Sequence, residues 1–103
     1  MKILILGDVM GASGRRVINN KLNKIINEND INFTIINGEN SADDGRGITK
    51  EIAEEFFSNG ADVITSGNHI WDKPETTDFI NLENRLLRPA NLPEDSPGNG
   101  YGI

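Results

Sequence analysis

Three short apolar runs organise the chain. Met1–Gly7 is nearly continuous in isoleucine and leucine, Asn32–Asn37 has a β-branched centre, and Val63–Thr65 is the briefest. Each stops on a glycine and a polar tip: Gly7-Asp8, Gly38-Glu39-Asn40 and Gly67-Asn68-His69. Between the first two runs, Ile18, Leu22, Ile25 and Ile26 recur as one helical stripe, with Arg15, Arg16, Lys21 and Lys24 read as facing water. Between the second and third, Ile52, Ala53, Phe56 and Phe57 repeat at the same spacing. Strand-like runs alternating with helical stripes predict parallel strands joined by right-handed crossovers. The expected class is α/β, a parallel βαβαβ sheet with flanking helices, its first strand covered on both faces.

Punctuating residues refine the boundaries. Ser13 closes a glycine-rich turn and is placed to cap the first helix, which Asn27–Asp30 ends. Thr49 is placed to cap the second helix and Gly60 to stop it. The polar loop Glu39–Gly47, with Asp43, Asp44 and Arg46, can form a lip over a site. Asp72 stands three residues before Glu75 with Pro74 between them, which predicts a helix start ahead of Thr76–Leu82. Trp71 reads as a packing residue, Leu86-Leu87 as a short strand, and Pro93–Gly102 as turn-forming sequence.

Composition narrows the partners. An open parallel sheet with helices usually needs more than 103 residues, which leaves room for further chain. Hydrophobic content of 36% and charged content of 25% fit a folded protein rather than a disordered one. A net charge of -6 without a basic cluster argues against duplex nucleic acid and anionic membranes. A small phosphorylated molecule stays open as a partner, because a bound cation can supply positive charge. The absence of cysteine removes disulfides, thiolate ligands and cysteine nucleophiles and fits a reducing compartment. No apolar run approaches the length of a membrane span, and the cytoplasm is the expected location.

In parallel sheets, ligands bind beyond the carboxyl ends of the strands. Asp8, Glu39, Asn40, Asn68 and His69 would then share one edge. Their donors are hard oxygens and an imidazole, which suit Mn, Fe or Zn ions, and Glu39 has two oxygens with which to bridge a pair. Arg46 and Arg88 read as solvated, with phosphate contact as the alternative. Two rival readings stand beside this one. Gly7, Gly11 and Gly14 open a helix after a strand and Glu39 ends the next strand, as in dinucleotide-binding folds. Against that, the glycine spacing departs from GxGxxG, and Asp8 would set a negative charge beside a pyrophosphate. The other rival is an inactive fragment or binding piece.

The motifs Gly7-Asp8, Asn37-Gly38-Glu39-Asn40 and Gly67-Asn68-His69, in that order, resemble the calcineurin-like metallophosphoesterase superfamily. The segments IINGENSA, ITSGNHIWDK and LLRPANLPEDSPG resemble its YmdB-like branch of 2',3'-cyclic-nucleotide 2'-phosphodiesterases. This resemblance implies that 1–103 is the N-terminal portion of a single α/β-sandwich domain whose C-terminal half is absent, carrying two divalent metal ions, iron or manganese foremost and zinc as the alternative. It implies that Asp8 binds the first metal, Glu39 bridges both, Asn40 and Asn68 bind the second, and His69 is the catalytic proton donor. The implied reaction hydrolyses small-molecule 2',3'-cyclic nucleotides to 3'-nucleotides through a metal-activated hydroxide, in a full-length protein that forms a homo-oligomer. Met10 stands where the wider superfamily has histidine, and Glu39 where it has aspartate; both departures look like features of the YmdB-like branch. Members of that branch extend well beyond this length and supply three further histidine ligands, whereas His69 is the only histidine here. The partial shells are expected to bind metal weakly, and the missing strands to leave an association-prone apolar surface.

Overall fold

The computed structural model describes residues Met1–Ile103. Three parallel strands, β1 (Ile3–Leu6), β2 (Phe33–Asn37) and β3 (Val63–Thr65), lie side by side in chain order. Ile3 pairs with Phe33 and Leu6 with Ile36, while Ile35 pairs with Val63 and Asn37 with Thr65. The long α1 (Gly11–Asn29) and the shorter α2 (Lys50–Ser58) make the crossovers. A 3-10 turn, Asn68–Trp71, then leads into the short α3 (Pro74–Phe79). No helix is long and apolar enough to cross a membrane.

Side chains alternate along a strand, so one face of the sheet carries Leu4, Leu6, Ile36 and Ile64 into a core with Ile18, Leu22, Ile52, Ala53 and Phe56. Both crossover helices therefore lie against this face. Consecutive strands laid down in one direction by crossovers of one hand put every crossover on the same side. The opposite face stays open, with Ile3 52% and Ile5 70% exposed. This corrects the expectation that β1 is covered on both faces.

Helix boundaries follow their local chemistry, with several departures from expectation. Helix α1 starts at Gly11, two residues before Ser13, and no side chain caps it. Gly11 instead takes a positive φ of 56° and gives its N–H to the Asn40 carbonyl at 2.9 Å, which docks the helix start on the β2 tip. At the other end Asp30 is left-handed, as a helix stop requires, while Ile25 drifts off the buried stripe. Thr49 caps α2 as expected, its hydroxyl accepting from the Ile52 N–H at 3.2 Å. Pro74 opens α3, which is shorter than predicted, and Lys73 rather than Asp72 occupies the capping position.

Leu86 and Leu87 extend the sheet beyond β3 through a single parallel bridge to Ile64. There Ile64 donates to the Arg85 carbonyl at 2.8 Å and Leu87 donates to the Ile64 carbonyl at 2.9 Å. Arg88, expected to be solvated, is instead buried. The chain from Pro89 to Gly100 folds back over it: its backbone N–H donates to the Asn99 carbonyl, one terminal nitrogen donates to the Pro89 carbonyl at 3.0 Å, and Nε has no partner.

The one-sided core gives a direct stability contrast. Ile36→Ala, at a fully buried position, is expected to cost about 2–5 kcal/mol in urea unfolding. Ile5→Ala, on the open face, is expected to stay within about 0.5 kcal/mol of the parent chain.

Candidate functional site

The parallel register sets where the polar tips fall, and backbone hydrogen bonds carry the alignment past the strand ends. Val9 donates to the Asn37 carbonyl at 3.1 Å, and Gly38 donates to the Thr65 carbonyl at 2.9 Å. Asp8, Glu39, Asn40, Asn68 and His69 all leave the sheet at this carboxyl edge. Asp8 is exposed, and its two carboxylate oxygens accept from the Asn40 amide at 3.1 and 3.2 Å. Glu39 is half-buried, its N–H held by the Asn37 side chain at 3.1 Å. Its carboxylate lies against the backbone of Gly67, where any Cβ would overlap it. One of its oxygens also accepts from the backbone N–H of His69 at 3.3 Å. Asn68 heads the 3-10 turn and is exposed. Asp8 is thus joined to Asn40 and Glu39 to His69, and the peptide bond between Glu39 and Asn40 couples the two groups.

As a donor set, two carboxylates and two amides suit a hard divalent cation. No three His, Cys, Asp or Glu side chains are grouped closely enough to hold an ion. The glycine-rich turn offers little to a dinucleotide, since the Gly11 N–H is taken by Asn40 and the Gly14 N–H by the Met10 carbonyl.

His69 is oriented from several sides. Its Nδ1 lies 3.0 Å from Asp72 Oδ2, so Asp72 serves the imidazole rather than the helix start that its spacing suggested. Behind it runs the 41–47 loop, close enough that a Cβ on Gly47 would sit 3.0 Å from the His69 carbonyl oxygen. Two ion pairs pin that loop: Arg15 to Asp43 at 2.6 Å and Lys73 to Asp44 at 2.7 Å. Arg15 also donates to the Ser41 carbonyl at 2.6 Å, so the expectation that it faces water is corrected. Its position at the start of α1 points it at the loop rather than outward. Arg46 is exposed, as expected. Trp71 packs against the edge of the core.

Sequence reasoning missed three contributors: Asp72, Arg15 and Gly67. For Asp72 the signal was present, because a spacing of three brings side chains together on a 3-10 turn. For Arg15 and Gly67 the contacts are long-range and leave no local trace.

Asp44 gives a pH test of the loop anchor. The Lys73 hydrogen bond, followed by the Arg46 backbone N–H, holds its carboxyl below the ordinary value of 3.8. A depressed carboxylate stabilises the folded chain above the unfolded value and loses that contribution as pH falls through the folded one. Asp44→Asn is therefore expected to be less stable than the parent near neutrality, with the gap closing as pH drops below 3.8. Urea midpoints measured across that range check this.

A family model described as "YmdB-like protein" matches residues 4–103. The chain is 48% identical over 100 residues to the 2',3'-cyclic-nucleotide 2'-phosphodiesterase of Bacillus subtilis strain 168, covering 97% of this chain and 38% of that protein. The crystal structure of a hypothetical protein from Thermus thermophilus superposes with a TM-score of 0.89 at 32% identity, over 99% of this chain and 39% of that one. A phosphatase from Mycoplasma pneumoniae superposes with a TM-score of 0.87 at 32% identity, over 100% of this chain and 39% of that one. The chain thus spans well under half the length of these relatives.

Proposed function

The chain belongs to the YmdB-like protein family, and on that premise we propose that it is the N-terminal part of a metal-dependent phosphodiesterase that hydrolyses 2',3'-cyclic nucleotides to 3'-nucleotides. The name of the Bacillus subtilis relative supports the substrate class. The observation that carries the reading is the shared carboxyl edge, where Asp8 meets Asn40 and Glu39 meets His69.

In this reading Asp8 and Glu39 would hold a first divalent ion, and Glu39, Asn40 and Asn68 would hold a second, with iron or manganese the best match to oxygen donors. Such ions, when bound, acidify a water and offset charge on the phosphate. Glu39 is kept in place as a candidate ligand by its seat against Gly67 and by the His69 N–H. Asn40 steadies Asp8 through its amide nitrogen and keeps its side-chain oxygen, Oδ1, available for a cation. His69 protonates the departing 2' oxygen of the ribose, leaving the phosphate on the 3' position. The remaining ligands belong to the longer protein, which the relatives' length supports. The absence of a three-ligand cluster favours a second statement: the 103-residue chain alone is weakly active or inactive.

In a protein of the relatives' full length that carries this sequence, 2',3'-cyclic AMP is expected to yield 3'-AMP. Glu39→Gln is expected to empty the metal site, as read by elemental analysis. His69→Ala is expected to keep the metals and lower kcat by about 10²–10⁴-fold, the range for loss of a general acid. A 2'-AMP product, or turnover that survives Glu39→Gln, contradicts the proposal.

A further inference from the structure

We propose that Asp72 is the positioning residue for His69, holding its ring in the Nδ1–H tautomer so that Nε2 is the nitrogen that exchanges a proton with substrate. This rests on the reading of His69 as the proton donor. The turn supplies the geometry. In a 3-10 helix, side chains three apart eclipse one another, which brings residue 72 over residue 69. The backbone closes the same turn, with the Asp72 N–H donating to the His69 carbonyl at 3.0 Å, and the side chains meet at 3.0 Å.

An ionised carboxylate can only accept, so the imidazole nitrogen facing it must carry the proton. Asp72 is also not drawn toward the adjacent lysine, because Lys73 is engaged by Asp44 at 2.7 Å. The histidine cannot easily slide away. Its backbone N–H is tied to Glu39, its carbonyl backs onto Gly47, and its side chain is only 32% exposed. A casual surface ion pair between flexible side chains lacks these restraints. With Nδ1 committed, Nε2 is left free to face the reaction.

During the reaction His69 starts as the imidazolium, protonated on both ring nitrogens, and its Nε2 proton moves to the leaving 2' ribose oxygen as the P–O bond breaks and the bond's electron pair stays on that oxygen. The oxygen of a hydroxide, formed from a water that has given one proton to solvent, makes the new bond to phosphorus, and solvent returns a proton to Nε2 before the next turnover. The Nδ1–H stays on the ring, hydrogen-bonded to Asp72, throughout, and the product state is the neutral Nδ1–H tautomer that the carboxylate favours.

Because His69 is the only histidine, its two ring nitrogens can be read in a long-range proton–nitrogen NMR spectrum of the ¹⁵N-labelled chain without further assignment. Recorded well above the ordinary histidine pKa of about 6.5, the spectrum is expected to show a protonated Nδ1 and an unprotonated Nε2. Asp72→Ala is expected to shift the ring toward the Nε2–H form, and Asp72→Glu to restore part of the original pattern. An Nε2–H ring in the parent chain, or a pattern unmoved by Asp72→Ala, overturns the proposal. The parent spectrum decides the first point even if the variant fails to fold. In the full-length protein, Asp72→Ala is expected to lower kcat at least tenfold with little change in KM. A His69→Ala protein that keeps full activity overturns the catalytic half and the function reading together, while the tautomer measurement, which needs no turnover, reports separately on Asp72.

Discussion

The parallel register of β1, β2 and β3 is the constraint on which the candidate site depends. Antiparallel neighbours would send alternate tips to opposite edges of the sheet, whereas parallel ones deliver Asp8, Glu39 and Asn68 to the same edge. The alignment does not stop with the strands. The Val9 and Gly38 backbone donors bind the neighbouring chains past the last paired residues, so the polar tips are fixed by main-chain bonds rather than by their own side chains. Two glycines make the close approach possible. A Cβ on Gly38 would press on Ile64 at 2.9 Å, and one on Gly67 would take the space of the Glu39 carboxylate.

Much of this was legible in the sequence because it is local. The apolar runs and helical stripes marked each strand and both long helices, and Thr49 marked its helix start through its own hydroxyl. What escaped depends on contacts between distant segments. Ser13 looked like a cap, but the α1 start is set by the Asn40 carbonyl, which only the fold brings near. Arg15 looked like solvent-facing charge until the loop carrying Ser41 and Asp43 closed on it. Arg88 gave no warning of burial, because the residues that cover it follow in a stretch whose composition says only that it turns. The candidate residues were named from their places after strands, yet the division into an Asp8–Asn40 pair and a Glu39–His69 pair could not be read from order alone.

The open sheet face and the partial character of the proposed ligand set are two aspects of the same geometry. Both long helices pack on one side of the sheet, so the exposed isoleucines of β1 and the half-buried side chains of β2 and β3 face outward together. The candidate donors at the polar edge all come from the segments that follow these three strands. Relatives more than twice as long have chain enough to cover such a face and to add ligands to such an edge, which fits the proposal that activity belongs to the longer protein. Within the present chain, the pinned 41–47 loop and the His69–Asp72 pair already hold their places by contacts made without those additions.

The central claim is that the three strand tips offer a common seat for a divalent cation, and paramagnetic Mn²⁺ tests it on the chain itself without requiring tight binding or turnover. Small additions to the ¹⁵N-labelled protein are predicted to broaden the amide signals of Asp8, Glu39, Asn40, Asn68 and His69 together and first. Broadening that starts instead in the acidic groove around Asp43, Asp44, Glu51 and Glu55, with the strand tips untouched, would contradict the account.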